Sequence, residues 1–240
     1  MIISTKAIVL NAIKYGDTNL IVKCYTEKDG CKSYLLRGIL SSKKGKIRTS
    51  YFQPLTQLNI IANHNNKGNL NSIKEVEVVY HYKSIFSNIF KQSIVFFLSE
   101  VLSFSLQEEE ENILLYKYLE TSFLWLDTHD KSSNFHLLFL LNLTRYLGFY
   151  PDSSNSEFIY FDLDGGRFTN ESLFIKNSIS GQELMTFRRL LGTSFDDLDK
   201  MEFNAQSRHR ILSVLIRYFE LHLSGFKTPK SLEVLRDIFK

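Results

Sequence analysis

Cysteine is scarce in this chain of 240 residues, and Cys24 and Cys31 are the only two. Two thiols cannot form a tetrahedral four-cysteine metal site, and no histidine is spaced to complete one with them. Both lie in strand-like sequence, so we interpret them as small buried hydrophobic residues. Two thiols without a disulfide framework are typical of a reducing compartment. We therefore expect an intracellular protein that needs neither a metal nor another cofactor.

Long hydrophobic runs are also missing. The most apolar window, residues 94–106, is broken by serines and a glutamate and is too short to span a bilayer. The first residues lack the basic region, apolar core and cleavage motif of a secretory signal. These absences predict a soluble, cytoplasmic protein with no membrane partner.

The sequence contains none of the common catalytic signatures. It has no GxxxxGK[ST] phosphate loop, no GxGxxG after a strand, no GxSxG and no HExxH. The six histidines are scattered along the chain and form no metal-ligand spacing. We predict that the chain is not an enzyme, and a hydrolase is the remotest of the alternatives.

Acidic residues are absent from one long stretch, residues 30–74, which carries only positive charge. Across residues 1–80, twelve Lys and Arg face five Asp and Glu, whereas residues 81–240 carry seventeen against twenty-one. Such asymmetry indicates a polyanionic partner for the first part. The alternative is that the lysines merely keep the surface of a small β-domain soluble.

The first 80 residues read as five short antiparallel strands. Alternating, β-branched-rich segments are separated by turns such as Asp29-Gly30. The predicted strands are residues 2–12, 20–26, 31–37, 51–61 and 70–80. This pattern favours an OB-fold barrel, with an SH3-like barrel as the nearest competitor.

From residue 82 the hydrophobic period becomes helical. An acidic run, residues 108–111, is placed at the start of the second helix, and Ser180-Gly181-Gln182-Glu183 forms a capping-box pattern. Residues 162–168 read as a small hairpin inserted among the helices. The fold class is therefore α+β, with an OB barrel at 1–80 and an all-α domain carrying a β-hairpin insertion at 81–240.

Positive and aromatic side chains accompany each other in the barrel. Non-specific binders of single strands need cations along the phosphates and flat rings on which bases stack. Of the aromatics Tyr15, Tyr25, Tyr34, Tyr51 and Phe52, core packing is favoured for Tyr25 and Phe52. The predicted nucleic-acid contacts are Lys14, Lys23, Lys32, Tyr34, Arg37, Lys43, Lys44, Lys46, Arg48 and Lys67.

Several short motifs, taken in order, resemble the RecO family of recombination mediators. The resemblance covers nearly the whole chain, and the order and spacing of the motifs are more specific than any one alone. The motifs are Ile8-Val9-Leu10, Tyr15-Gly16-Asp17, Arg37-Gly38 with the lysine loop, Gln53-Pro54-Leu55, Leu147-Gly148-Phe149 with Pro151, and Tyr218 to Phe226 followed by Lys230-Ser231-Leu232.

This resemblance implies a non-enzymatic DNA repair protein, cytoplasmic and associated with the nucleoid. RecO-like proteins bind single- and double-stranded DNA through the barrel and anneal complementary strands. They act with RecR, recognise the acidic tail of single-strand-binding protein and help to load RecA. A tail site needs a cation beside an apolar groove, and the candidates are Arg145, Arg188, Arg189, Arg208 and Arg210. The alternative is a protein-interaction module without DNA binding.

One region departs from the family pattern. Many members carry a four-cysteine zinc site after the motif that corresponds to Leu147–Pro151, whereas residues 152–167 contain no cysteine here. We therefore predict that no zinc is bound. The hairpin is expected to be held by Phe158, Tyr160, Phe161 and Phe168 instead.

Overall fold

The computed structural model describes residues 1–41, 47–65, 70–171 and 177–240. The chain divides into two compact units, Met1–Thr128 and His129–Lys240. The first unit contains a five-stranded sheet followed by two helices, and the second contains the remaining helices with a small sheet. The predicted α+β class is confirmed.

Five antiparallel strands form the sheet of the first unit, in the order β3-β2-β1-β4-β5. They are β1 Ile2–Tyr15, β2 Asn19–Thr26, β3 Gly30–Leu36, β4 Gln57–Asn63 and β5 Ser72–Val78. Alternate side chains such as Val22, Cys24 and Tyr34 face a common apolar core. The sheet therefore follows the alternation seen in the sequence.

The two end strands of this sheet meet at Asn71. Leu35 N donates to Asn71 O and Asn71 N donates to Ser33 O, both at 2.9 Å, and Tyr34 and Asn71 form a parallel bridge. The Asn71 side chain adds a third bond, from Nδ2 to Ser33 O at 3.1 Å. These bonds close the sheet into a barrel, consistent with the OB-fold prediction.

The fourth strand is shorter than predicted. Residues Thr49–Phe52 form a 3₁₀ helix, and β4 begins only at Gln57. Between them, Pro54 has no N–H to donate to a ladder, and Leu55 adopts a left-handed conformation with φ 61°. The expected strand at 51–56 is therefore wrong.

Two helices complete the first unit, α1 Ile89–Ser105 and α2 Ile113–Thr128. The Asn88 side chain caps α1 by accepting from the N–H groups of Phe90 and Lys91. The rings of Tyr25 and Tyr116 stack at 6.4 Å, and Lys6 pairs with Glu120 at 2.8 Å. The compact unit thus extends beyond residue 80, and the assignment of separate functions to 1–80 and 81–240 stays a prediction.

The second unit packs α3 Phe135–Tyr146 and α4 Gly181–Leu191 against α5 Ala205–His222, and ends with α6 Leu232–Ile238. The predicted hairpin is present as β6 Tyr160–Asp162 and β7 Arg167–Thr169. A third strand, β8 Ser178–Ser180, joins β6 on its other side. Ser180 precedes α4 as predicted, but its side chain makes no capping hydrogen bond.

Candidate nucleic-acid interface

A groove of about 630 Å³ lies on the barrel where the end of β3 faces the start of β5. Residues 35–39 line one side and residues 70–74 the other, with Ile47 between them. We call this feature the β3–β5 groove. Among the described residues, Arg37 and Lys74 are the cations that line it.

The segment after β3 is fixed to the turn between β1 and β2. Gly38 N donates to the Asn19 side-chain oxygen and Leu40 N donates to Thr18 O, both at 2.9 Å. Gly38 has φ +67°, a left-handed conformation that favours glycine and turns the chain at this point. These contacts place Arg37 at the rim of the β3–β5 groove.

Three cations around the groove are exposed: Arg37, Lys74 and, beside Ile47 in the sequence, Arg48. Within the part of the chain that the structure describes, none of them takes part in an ion pair. Lys14 is also exposed, at the end of β1. Charged side chains that are exposed and have no ion-pair partner in the protein are available to phosphate. Arg37, Lys74, Arg48 and Lys14 are therefore suited to bind a polyanion.

Two predicted contacts, Lys23 and Lys32, are used inside the protein instead. Lys23 Nζ donates to the carbonyls of Ser103 and Leu106, at 2.8 and 2.9 Å, at the C-terminus of α1. Lys32 pairs with Glu109 at 2.6 Å, and its side chain is 15% exposed. A lysine that binds helix-end carbonyls is not free to contact phosphate. These hydrogen bonds do not support the assignment of Lys23, and Lys32 reaches a phosphate only by releasing Glu109.

The acidic run at 108–111, which includes Glu109, was predicted to lie at the start of the second helix, and this prediction is wrong. The helix begins at Ile113, after the run. Glu108 O instead accepts from Cys31 N at 2.9 Å, and Leu106 O accepts from the Cys31 thiol at 3.1 Å. The run therefore docks on the beginning of β3, and its charge compensates Lys32.

Tyr34 was predicted to contact nucleic acid, and its position in the structure does not support this. The residue is 0% exposed and belongs to the barrel core. Its hydroxyl lies 2.8 Å from His64 Nε2, while His64 Nδ1 lies 3.0 Å from Asp29 Oδ2. Burial lowers the pKa of His64, and the neighbouring Asp29 carboxylate opposes that shift. Tyr25 and Phe52 are buried as expected, each 3% exposed.

The remaining predicted lysines, Lys43, Lys44, Lys46 and Lys67, lie outside the described residues. In the sequence they belong to segments 42–46 and 66–69, which adjoin Ile47 and Leu70 of the groove. Lys74 was not among the predicted contacts. Its signal in the sequence was its place in the acid-free stretch, which alone did not separate it from the other lysines.

Comparison with known proteins decides the family. Residues 1–82 match the model "Recombination protein O N terminal" and residues 87–232 match "Recombination protein O C terminal". The chain belongs to the RecO family. Relatives named DNA repair protein RecO include those of Flavobacterium psychrophilum, 46% identical over 239 residues, and Christiangramia forsetii, 47% over 241. The protein of that name from Phocaeicola vulgatus is 34% identical over 241 residues, and each match covers all of both chains.

Two of the five arginines suggested for a partner of this RecO family member are held by their own unit. Arg188 donates to Phe158 O and lies over the Phe168 ring at 5.5 Å. Arg208 donates to Asn134 Oδ1 at 3.1 Å, and burial lowers its pKa. Both guanidinium groups have internal roles, which makes them poor candidates for a docking site.

The other three suggested arginines are exposed. Arg145 lies over the ring of Tyr150 at 4.3 Å and Arg189 over the ring of Phe203 at 5.3 Å. A guanidinium on an aromatic face is oriented, yet its edge remains open to a carboxylate. Arg145, Arg189 and Arg210 therefore remain candidates for a partner.

Aromatic packing holds the hairpin in the cysteine-free region that follows Pro151. Phe161, 0% exposed, contacts the rings of Phe168 at 5.0 Å and Phe187 at 4.7 Å. Phe158 and Tyr160 are half-buried, so they contribute less than predicted. No group of three or more potential metal ligands occurs in residues 1–41, 47–65, 70–171 and 177–240.

Both cysteines are buried in the barrel as expected. Burial raises the pKa of the Cys31 thiol to about 11 and raises that of Cys24 further. Burial therefore disfavours the reactive thiolate form of both residues. No helix in the described part of the chain is long and apolar enough to cross a membrane.

Proposed function

We propose that this chain is a DNA-binding recombination mediator that acts in DNA repair without catalysis or a cofactor. Family membership supports a role in DNA repair and recombination. The β3–β5 groove supports the DNA contact, because its cations Arg37 and Lys74 are exposed and, among the described residues, form no ion pair. Arg48 and the lysines of segments 42–46 and 66–69 add charge next to it in the sequence.

The mechanism we propose is neutralisation of phosphate charge. Two complementary strands repel each other, and cations that bind both backbones let them approach and pair. Binding through phosphates requires no particular sequence and accommodates single- and double-stranded DNA. The exposed cations of the barrel would thereby promote annealing.

The proposed partners are RecR and the acidic tail of single-strand-binding protein, and through them RecA, which the complex helps to load. The exposed arginines Arg145, Arg189 and Arg210 are the candidate contacts for the tail. An acidic peptide would pair with such guanidinium groups. A cytoplasmic protein associated with the nucleoid follows from these partners.

The experiment measures binding of a labelled single strand against salt concentration. If about six cations engage the strand, log K falls with log salt at a slope of roughly −4. The double variant Arg37→Glu/Lys74→Glu should bind at least about tenfold more weakly, with a slope of about −2.8. Lys117→Glu/Lys230→Glu carries the same charge change at exposed positions elsewhere and should behave like the parent chain.

A second arm measures annealing of complementary strands with and without single-strand-binding protein. Arg145→Glu/Arg189→Glu should impair annealing of coated strands and leave naked strands unaffected. If the parent chain binds no DNA at low salt, the proposal fails and the alternative of a protein-interaction module takes its place. Equal affinity and slope in the groove variant and its control would contradict the groove assignment.

A further inference from the structure

An apolar row crosses the outer face of the barrel on three adjacent strands. Ile13 of β1 is paired in register with Ile21 of β2, and Ile21 with Leu35 of β3. Residues that precede or follow them, such as Val22 and Tyr34, point into the core. Alternation therefore directs Ile13, Ile21 and Leu35 outward. Ile13 is 52% exposed, and the other two are half-buried.

A second row lies two residues further along the same strands. Tyr15 follows Ile13 and is 55% exposed, and Arg37 follows Leu35. Between them, Tyr15 pairs with Asn19, whose side chain accepts from Gly38 N at 2.9 Å. Residues two apart on a strand are separated by about 6.7 Å. The rows therefore form one continuous surface with an aromatic ring and a guanidinium at its edge.

The end of helix α1 marks the limit of this surface. On the next row inward, Lys23 reaches the carbonyls of Ser103 and Leu106 in the helix end. The rows that contain Ile21 and Asn19 lie beyond that contact, and in them Ile13, Tyr15 and Arg37 are exposed while Ile21, Asn19 and Leu35 are half-buried. On the other side, Leu35 and Arg37 also line the β3–β5 groove, so the open surface and the groove share β3.

We propose that Ile13, Tyr15, Ile21 and Leu35 form a stacking platform for unpaired DNA bases, with Tyr15 as the ring on which a base stacks. The inference rests on the proposed DNA binding and specifies how the same site distinguishes single from double strands. Phosphates bind Arg37 and Lys74 in the groove while the adjoining base lies across the platform. Duplex bases already stack on one another and cannot use it.

The form of this surface favours a base over an acidic peptide as the occupant. The apolar row runs across three adjacent strands and forms an open face on the sheet. Such a face suits a planar base, whereas the anchoring side chain of a peptide needs a pocket. The cation at the edge of the second row is Arg37, where the backbone of a strand would pass, whereas Lys14 lies between Ile13 and Tyr15 on β1 and points to the opposite face.

The test measures the affinity of Tyr15→Ala for oligothymidylate, a single strand, and for a duplex of equal length. Loss of one base–aromatic stack should weaken single-strand binding by about 5- to 150-fold. The salt slope should stay that of the parent chain, because no cation is lost. Duplex affinity should not change, and Tyr15→Phe should retain most of the single-strand affinity.

Phe96→Ala is the matched control, since Phe96 is a 52%-exposed aromatic on α1 and should have no effect on binding. Tyr15→Trp supplies a spectroscopic test, because emission at that position should be quenched by oligothymidylate and not by an acidic peptide. If Tyr15→Ala binds the single strand like the parent chain, the platform is wrong while the groove proposal stands. Quenching by the acidic peptide alone would also overturn it, and absence of DNA binding by the parent chain would refute the proposed function itself.

Discussion

The two ends of β3 carry similar charges and use them in opposite ways. At the Gly30 end, Lys32 pairs with Glu109, and Lys23 on the neighbouring strand binds the carbonyls at the end of α1. At the Leu36 end, Arg37 and Lys74 face an open groove. The difference arises from residues 103–109, which dock on one end of the strand only. A basic strand is therefore not a uniform binding surface.

Substitution of the glycines at the two ends of β3 tests this difference most strongly. Gly30 and Gly38 lie at these ends, and both have positive φ. A Cβ at Gly30 would meet the backbone carbonyl of Glu108 and lie 2.6 Å from that of Glu110, whereas one at Gly38 would find only Ser41 Oγ, at 3.9 Å. Gly30→Ala should lower the free energy of unfolding by about 3 kcal/mol or more, because strain and a backbone clash combine.

Gly38→Ala is the matched control and should cost about 1–2 kcal/mol, the strain of the left-handed conformation alone. Urea denaturation followed by circular dichroism measures both. Equal losses in the two variants would show that the acidic run does not dock on β3 as the structure has it.

Lys23 provides the second test. Lys23→Met keeps the apolar stem and removes the ammonium, leaving the carbonyls of Ser103 and Leu106 without this donor. The free energy of unfolding should fall by about 1–3 kcal/mol, while DNA affinity of the folded protein stays unchanged. Lys14→Met, at an exposed position, should change stability by less than about 0.5 kcal/mol. A loss of DNA affinity in Lys23→Met with unchanged stability would reverse the assignment.

The smallest effect concerns pH and His64, which lies between Tyr34 and Asp29 at the Gly30 end of β3. Burial lowers its pKa in the folded state, so near its ordinary value of about 6.5 the unfolded chain takes up more protons. Stability should therefore be complete above about pH 6.5 and decline as the pH falls below it. Buried His136, with a pKa lowered to about 3 by burial, acts in the same direction in the other unit.

His64→Gln should reduce the loss of stability between about pH 7.5 and 5.5 without removing it, since His136 still contributes. Denaturation midpoints across that range measure the change. An unchanged pH dependence would show that His64 is not buried as a neutral ring.

Much of the barrel was predictable because strand alternation and turn residues are local signals. Hydrophobic periodicity and turn residues alone predicted the five strands, the hairpin near residue 165 and most helix positions. The start of β4 did not, because Leu55 adopts a conformation that leucine rarely takes. Local preference carries no information about such a position.

The sequence predicted which kind of residue the candidate site contains, but not which individual side chains are exposed there. The acid-free stretch indicated a polyanion partner, and Arg37 of that stretch is exposed and lines the β3–β5 groove. The internal partners of Lys23 and Tyr34 could not be foreseen, because Ser103 and His64 are 80 and 30 residues away along the chain. Only the closed fold shows that one lysine caps a helix and that one tyrosine lies in the core.

The most direct test of the central claim compares two pairs of neutralised cations, Lys23→Gln/Lys32→Gln and Arg37→Gln/Lys74→Gln. Each pair removes two positive charges from the same barrel. In a titration of single-stranded DNA at several salt concentrations, the groove pair should reduce the slope of log K against log salt by about 1.4. The helix-side pair should leave the slope unchanged. Equal changes of slope in the two pairs would contradict the account.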